Sequence, residues 1–535
     1  FIHNNGTVRF SGAATQNTRI ISGSTNFYDL LLSPSANIVY LFNTASIFNV
    51  SHALYLSGSY QIRIDGGTIN VQGDIIHTGI ISVAPAAGTI HINGAGDQTI
   101  TGVTNLNYGG FCNVKVNKSS GTLFLKNIIN VCGVWEHVMG TVDDTTYDAE
   151  MAFSTGSATN GVKGNQTFNK LWIGTGGNST TFTVNAGDTL TANFVHTGVY
   201  GSITYVGYIN VTGDFWLGST GTGGGGTGTI AFTGSGNQLL TGQTLTYSQG
   251  ILPNIKIDKT GGTLTLKNII SVRGNWNYIK GTVDATTENS TIYFLNGNRT
   301  ISGKHSLNNV YLSSWGSTTI TMPATDTLTV TGTLSFSGNN TFLINTGVIC
   351  SKGDVMMGAV GGGGSATLVF NGTTDQTVTG ATTLGQGSLP NIKIDKASGS
   401  LILKNNVGIG NLEYVKGVID QSSANSWLVF QVTTLSVTGK PTLHYVNFIG
   451  VNTASTLYLS TTDTVTVDGE LRFSNTGNIR INAGVIRATG NITTTNTNTS
   501  INFSTGTLLI AGDNNQTFTG SLNKNQGWLY NIGEF

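Results

Sequence analysis

The sequence predicts an all-β fold, a parallel β-solenoid, and three observations carry that prediction. One stretch recurs: Asn113 to Asn127 reads NVKVNKSSGTLFLKN, Asn254 to Asn268 reads NIKIDKTGGTLTLKN, and Asn391 to Asn405 reads NIKIDKASGSLILKN. The copies stand about 140 residues apart and a fourth begins at Asn531-Ile532, a period that marks a repeat architecture. Within the copies apolar and polar residues alternate, the period of a strand with one buried face. The composition agrees: 74 glycines, only 9% charged residues, and few of the Glu, Lys and Ala that build helices.

Each element has a local reason. In Asn254-Ile-Lys-Ile-Asp, Ile255 and Ile257 share one face, with Lys256 and Asp258 on the other. Thr263-Leu-Thr-Leu-Lys repeats the pattern, and its β-branched threonines suit a pleated surface. Gly, Asn, Asp or Ser follows each short run, where a tight corner needs left-handed backbone. Three short strands per coil give about 23 residues, hence about six coils per repeat and a rod on the order of 110 Å at ~4.8 Å between coils. A propeller would repeat every ~40 to 50 residues. A row of β-sandwiches is the alternative, but the Asn-Gly and Asp-Gly turns do not fall at regular hairpin positions.

Two kinds of half, each of about 70 residues, alternate along the chain. Residues 1–88 read as a partial repeat, 89–228, 229–366 and 367–506 as three full ones, and 507–535 as a truncated one, all in one continuous solenoid. Gln98, Gln238, Gln376 and Gln516 fall at one phase of the repeat. So do Gly73-Asp74-Ile75, Gly213-Asp214-Phe215, Gly353-Asp354-Val355 and Gly490-Asn491-Ile492. Like residues stack on like in a solenoid, and amide ladders satisfy one another along such a stack. The four glutamines, with Asn113, Asn254, Asn391 and Asn531, therefore read as a structural ladder whose amides hold corners.

Segments such as GTIAFTGSGNQLLTG, LPNIKIDKTGGTLTLKN and INVTGDFWLG resemble those of large repetitive bacterial surface proteins. These are secreted β-solenoids of the filamentous-haemagglutinin and autotransporter-passenger kind. The resemblance covers essentially the whole chain and implies an extracellular, surface-attached, right-handed β-helix used for adhesion or for building a surface layer. It transfers no functional residue.

Chemistry is sparse. None of the eight histidines pairs with another at metal spacing, and no nucleophile elbow or phosphate loop occurs. Cys112, Cys132 and Cys350 read as filler, with one disulfide between the first two as the alternative. Asp143, Asp284 and Asp420 recur and read as turn-formers; the denser acidic stretch around Asp143, Asp144, Asp148 and Glu150 lacks the spacing of a calcium loop. The runs Gly218 to Gly228 and Gly358 to Gly364 read as loops bulging from the rod. Three lysine sets, Lys115/Lys256/Lys393, Lys118/Lys259/Lys396 and Lys126/Lys267/Lys404, read as outward marks that keep exposed strands soluble. Trp135 and Trp276 read as packed inward or over a corner, with carbohydrate contact as the alternative.

Net charge is zero, which argues against nucleic-acid partners, and no apolar run is long enough to span a membrane. Neither end shows a recognisable cap, so the chain reads as a piece of a longer array or as a subunit whose ends neighbours cover. The expectation is a non-enzymatic protein, secreted or on the cell surface, without cofactor or metal. It would form a filament, stalk or layer by end-to-end self-association. The alternative is a carbohydrate-binding or polysaccharide-cleaving β-helix, with surface glycans as partners.

Overall fold

The protein is an all-β parallel β-solenoid of about 20 turns, with a coil spacing of about 22 residues. The computed structural model describes residues 4–11, 17–35, 38–58, 62–79, 87–106, 108–154, 159–174, 179–198, 201–244, 246–314, 317–338, 342–358, 362–384, 386–422, 426–432, 434–450, 455–474, 479–494, 500–502, 505–521, 523, 526 and 528–530. Asn531 and Ile532 of the fourth copy lie outside the described residues. Two compact units are present: Phe1–Asn275 with Ile279–Asp284, and Trp276–Tyr278 with Ala285–Phe535.

In the first unit the inward residues of successive coils form a column. Phe48 registers with Ile69, Ile69 with Ile90, Ile90 with Val114 and Val114 with Trp135, and all five are buried. Each aliphatic side chain so buried contributes roughly 1.5–3 kcal/mol. One residue along, on the outer face, runs a polar column. Asn49 Nδ2 donates to Asn26 Oδ1 at 2.8 Å, Asn70 Nδ2 to Asn49 Oδ1 at 2.8 Å, and His91 Nδ1 meets Asn70 Oδ1 at 2.9 Å. The column continues in register through Lys115, Glu136 and Lys163, where Glu136 takes both lysines as ion-pair partners. An amide ladder therefore exists, and it lies on the solvent side.

The second unit repeats the design. Ile292, Val310, Leu334, Val355, Val378 and Leu403 form a buried column, each in register with the next. Beside it Tyr293 stacks on Tyr311 with ring centroids 4.6 Å apart.

The recurring stretch forms one strand in each copy, Asn113–Lys126, Asn254–Lys267 and Asn391–Lys404, rather than two strands split by a corner. Its pairing shifts register at the bend, between Val116 and Asn117 and again before Thr122, so the ladder turns without ending.

Parts of the glycine runs depart from the expectation of bulging loops, while residues 359–361 of the second run lie outside the described residues. Gly225–Gly226 pairs in parallel with Ile203–Val206, and Gly362–Gly363 with Phe342–Asn345. A Cβ on Gly226 would stand 2.3 Å from the Tyr205 carbonyl oxygen, and φ there is +102°. Bare backbone is what lets the coil at Gly226 close against its neighbour.

Candidate functional site

The most repeated polar constellation is a corner built from one glutamine and one lysine a coil apart. Gln98 Oε1 accepts the Gly94 N–H at 3.0 Å, and its Nε2 donates to the Val71 and Gly73 carbonyls at 3.1 and 2.6 Å. From the next coil, Lys118 Nζ donates to Gly94 O at 2.7 Å, Gly96 O at 2.8 Å and Gln98 Oε1 at 2.7 Å. Lys259 makes the same three bonds to Gly234 O, Gly236 O and Gln238 Oε1, and Lys396 to Gly372 O, Thr374 O and Gln376 Oε1. Each of the three lysines is only 2% exposed.

This corrects the placement of Lys118, Lys259 and Lys396 on the surface. Their parity carries the reason: each follows its two inward aliphatics by two residues, as Lys259 follows Ile255 and Ile257. An ammonium is tolerated there because all three of its protons meet oxygens. Burial lowers the pKa of all three below the usual lysine range. Asp97 opposes this at Lys118 and Asp375 at Lys396, while Asn237 takes the equivalent position in the Lys259 copy. The other two lysine sets are not buried; Lys393, for example, pairs with Glu413 at 2.6 Å at the surface.

Other repeated polar residues staple coils. Asp74, Asp214, Asp354 and Asn491 accept the backbone N–H of Thr99, Leu239, Thr377 and Thr517. Asn113 donates to the Ala87 and Gly88 carbonyls behind it and accepts Val134 N–H ahead, and Asn254 and Asn391 bridge coils likewise. Gln516 makes the same backbone bonds as Gln98. The amides of the four glutamines thus bond backbone rather than one another. Asp143 caps a turn, and the Thr146 hydroxyl and amide, with Thr145, hold its carboxyl at about 2.

Trp135 and Trp276 are fully buried, so neither meets a surface glycan. An aromatic column lies elsewhere, with Trp216 exposed, Trp172 half-buried and His196 buried between them. His196 is sandwiched between Trp172 and Trp216, ring centroids 3.7 and 3.8 Å away, with both ring nitrogens buried and unpartnered. Its signal was a set of aromatic residues at outward parity in successive coils. The cysteines are free; burial pushes the Cys112 thiol up to about 12 and Cys132 to about 11.

One open groove recurs at the same phase in two repeats. In the first, about 320 Å³, His137 Nε2 meets Gly140 O at 2.9 Å beside Asn165, Gln166 and Thr191. In the second, about 420 Å³, Tyr414 donates its hydroxyl to Gly417 O at 2.7 Å, and Asp420, His444 and Asp468 line the walls. His444 Nδ1 stands 2.9 Å from Asp468 Oδ1. Among the described residues no three His, Cys, Asp or Glu side chains gather as a metal would require, and no helix is long and apolar enough to cross a membrane.

No protein family, no curated protein and no solved structure matches this chain.

Proposed function

We propose that the chain is an extracellular structural or adhesive β-solenoid of the cell surface, working as a filament, stalk or layer that copies extend end to end. The observation that supports this most is the triple corner. The polar groups of Gln98–Lys118, Gln238–Lys259 and Gln376–Lys396 are spent on backbone and on each other. Repetition of that kind multiplies ladder rather than reaction sites. A parallel coil also presents along its axis the row of N–H and C=O groups that another coil pairs with. Contact of that type between unlike faces does not close and propagates as a fibre. The low share of charged residues, 9%, and the likeness to secreted repetitive surface proteins favour the extracellular setting. The reading assigns no enzymatic activity, cofactor or nucleic-acid partner.

Electron microscopy of the purified protein across a dilution series tests it. Fibres with a regular axial repeat are expected, shortening on dilution. Separate particles at every concentration would remove end-to-end assembly.

The groove at Tyr414, Asp420, His444 and Asp468 favours a second reading, glycan binding, because it sets an aromatic ring beside carboxylates in an open cleft. Soluble oligosaccharides that bind the parent chain and not Asp468→Ala would support it.

A further inference from the structure

We propose that Lys118, Lys259 and Lys396 condense with Gln98, Gln238 and Gln376, forming amide cross-links between side chains that weld each of these coils to the next. The two side chains are already in hydrogen-bond contact. Nζ lies 2.7, 2.5 and 2.9 Å from the glutamine Oε1 in the three corners, and every one of the six side chains is at most 2% exposed.

Each corner supplies what acyl transfer from a carboxamide needs. The nucleophile is aimed by two carbonyls, Gly94 O and Gly96 O in the first copy. Oε1 is polarised by a backbone N–H, from Gly94, Gly234 or Gly372, at 3.0, 3.1 and 2.9 Å, where negative charge grows during attack. The nitrogen that leaves is fixed by two further carbonyls, Val71 O and Gly73 O. Intramolecular reactants that reach a near-attack arrangement gain effective concentrations on the order of 10⁵–10⁸ M.

The step balances without a co-reactant. Nζ bonds to Cδ, the Cδ–Nε2 bond breaks, and two Nζ protons pass to the departing nitrogen. Lysine ammonium and glutamine carboxamide become a secondary amide and an ammonium ion. The charge that was costly inside the coil leaves with the ammonium into water, which gives the reaction its direction. Burial lowers the lysine pKa and so favours the neutral amine that attacks. Asp97 and Asp375 interact electrostatically with the first and third lysines. Asn237 holds that place in the second corner.

The experiment is intact mass measurement of the full chain, fresh and after ageing at neutral pH, unfolded before analysis. The expected result is a mass below the sequence mass by one ammonia, about 17 Da, per cross-link, and a proteolytic peptide pair joined through Gln98 and Lys118. Lys118→Arg is expected to remove one such loss. Should that variant fail to fold, the joined peptides of the parent chain decide alone. No mass loss on ageing overturns the proposal. So does a loss that mild alkali reverses, which would mark succinimides at Asn-Gly pairs such as Asn93-Gly94.

Discussion

Trp276 donates its indole N–H to His305 Nε2 at 2.9 Å, and both rings are buried. His305 Nδ1 faces the Gly303 carbonyl at 3.2 Å, so the ring is neutral with its proton on Nδ1. Protonating Nε2 would set N–H against N–H.

That geometry predicts an acid-sensitive second unit. Burial lowers the His305 pKa to about 4, against the upward pull of the Gly303 carbonyl and Asp326. The unfolded chain therefore binds a proton more readily than the folded one. The contribution is fully present above pH ~6.5 and is lost as pH falls towards 4, by on the order of 3 kcal/mol in all. Denaturant unfolding followed by tryptophan fluorescence at pH 7 and pH 4.5 should show this. His305→Gln keeps an acceptor for the indole and should lose less stability over the same interval. An equal loss in parent and variant would contradict the assignment.

A second prediction separates two lysines three residues apart. Lys256 lies at the surface 3.1 Å from Asp258, and Lys256→Met should cost about 0–1 kcal/mol. Lys259→Met strips the donor from Gly234 O, Gly236 O and Gln238 Oε1 inside the coil, and should cost about 3–5 kcal/mol. Chemical denaturation of the two variants side by side checks this. Equal costs would return Lys259 to the surface.

The contrast between those lysines also shows what the sequence could reveal. Alternation identified Ile255 and Ile257 as inward, and the repeat pointed to coils, because both follow from backbone geometry that any strand shares. Lys259 continues the inward parity, but a charged side chain on a strand ordinarily faces water, so its type and its parity point opposite ways. Its partners, Gly234 O and Gly236 O, are backbone atoms, and backbone leaves no signature in a sequence. The column of Trp172, His196 and Trp216 was hidden for another reason. Those residues lie 24 and 20 positions apart, and coil lengths that vary blur the register needed to align them.

The third prediction concerns two glycines of one corner. Gly262 has φ +62°, and a Cβ there would stand 2.2 Å from the Gly236 carbonyl oxygen. Its counterparts, Gly121 and Gly399, have φ +71° and +68°. Gly236 has open space around it, and in the third copy Thr374 takes its place while its carbonyl still accepts Lys396. The chain has thus already made one of the two substitutions. Gly236→Thr should change stability by no more than about 0.5 kcal/mol. Gly262→Ala should cost about 2 kcal/mol or more, because left-handed backbone and a clash with main chain add together. Thermal unfolding of both variants provides the check. A tolerated Gly262→Ala would mean that the corner bends elsewhere, and then the nearby Lys259 network would have to shift with it.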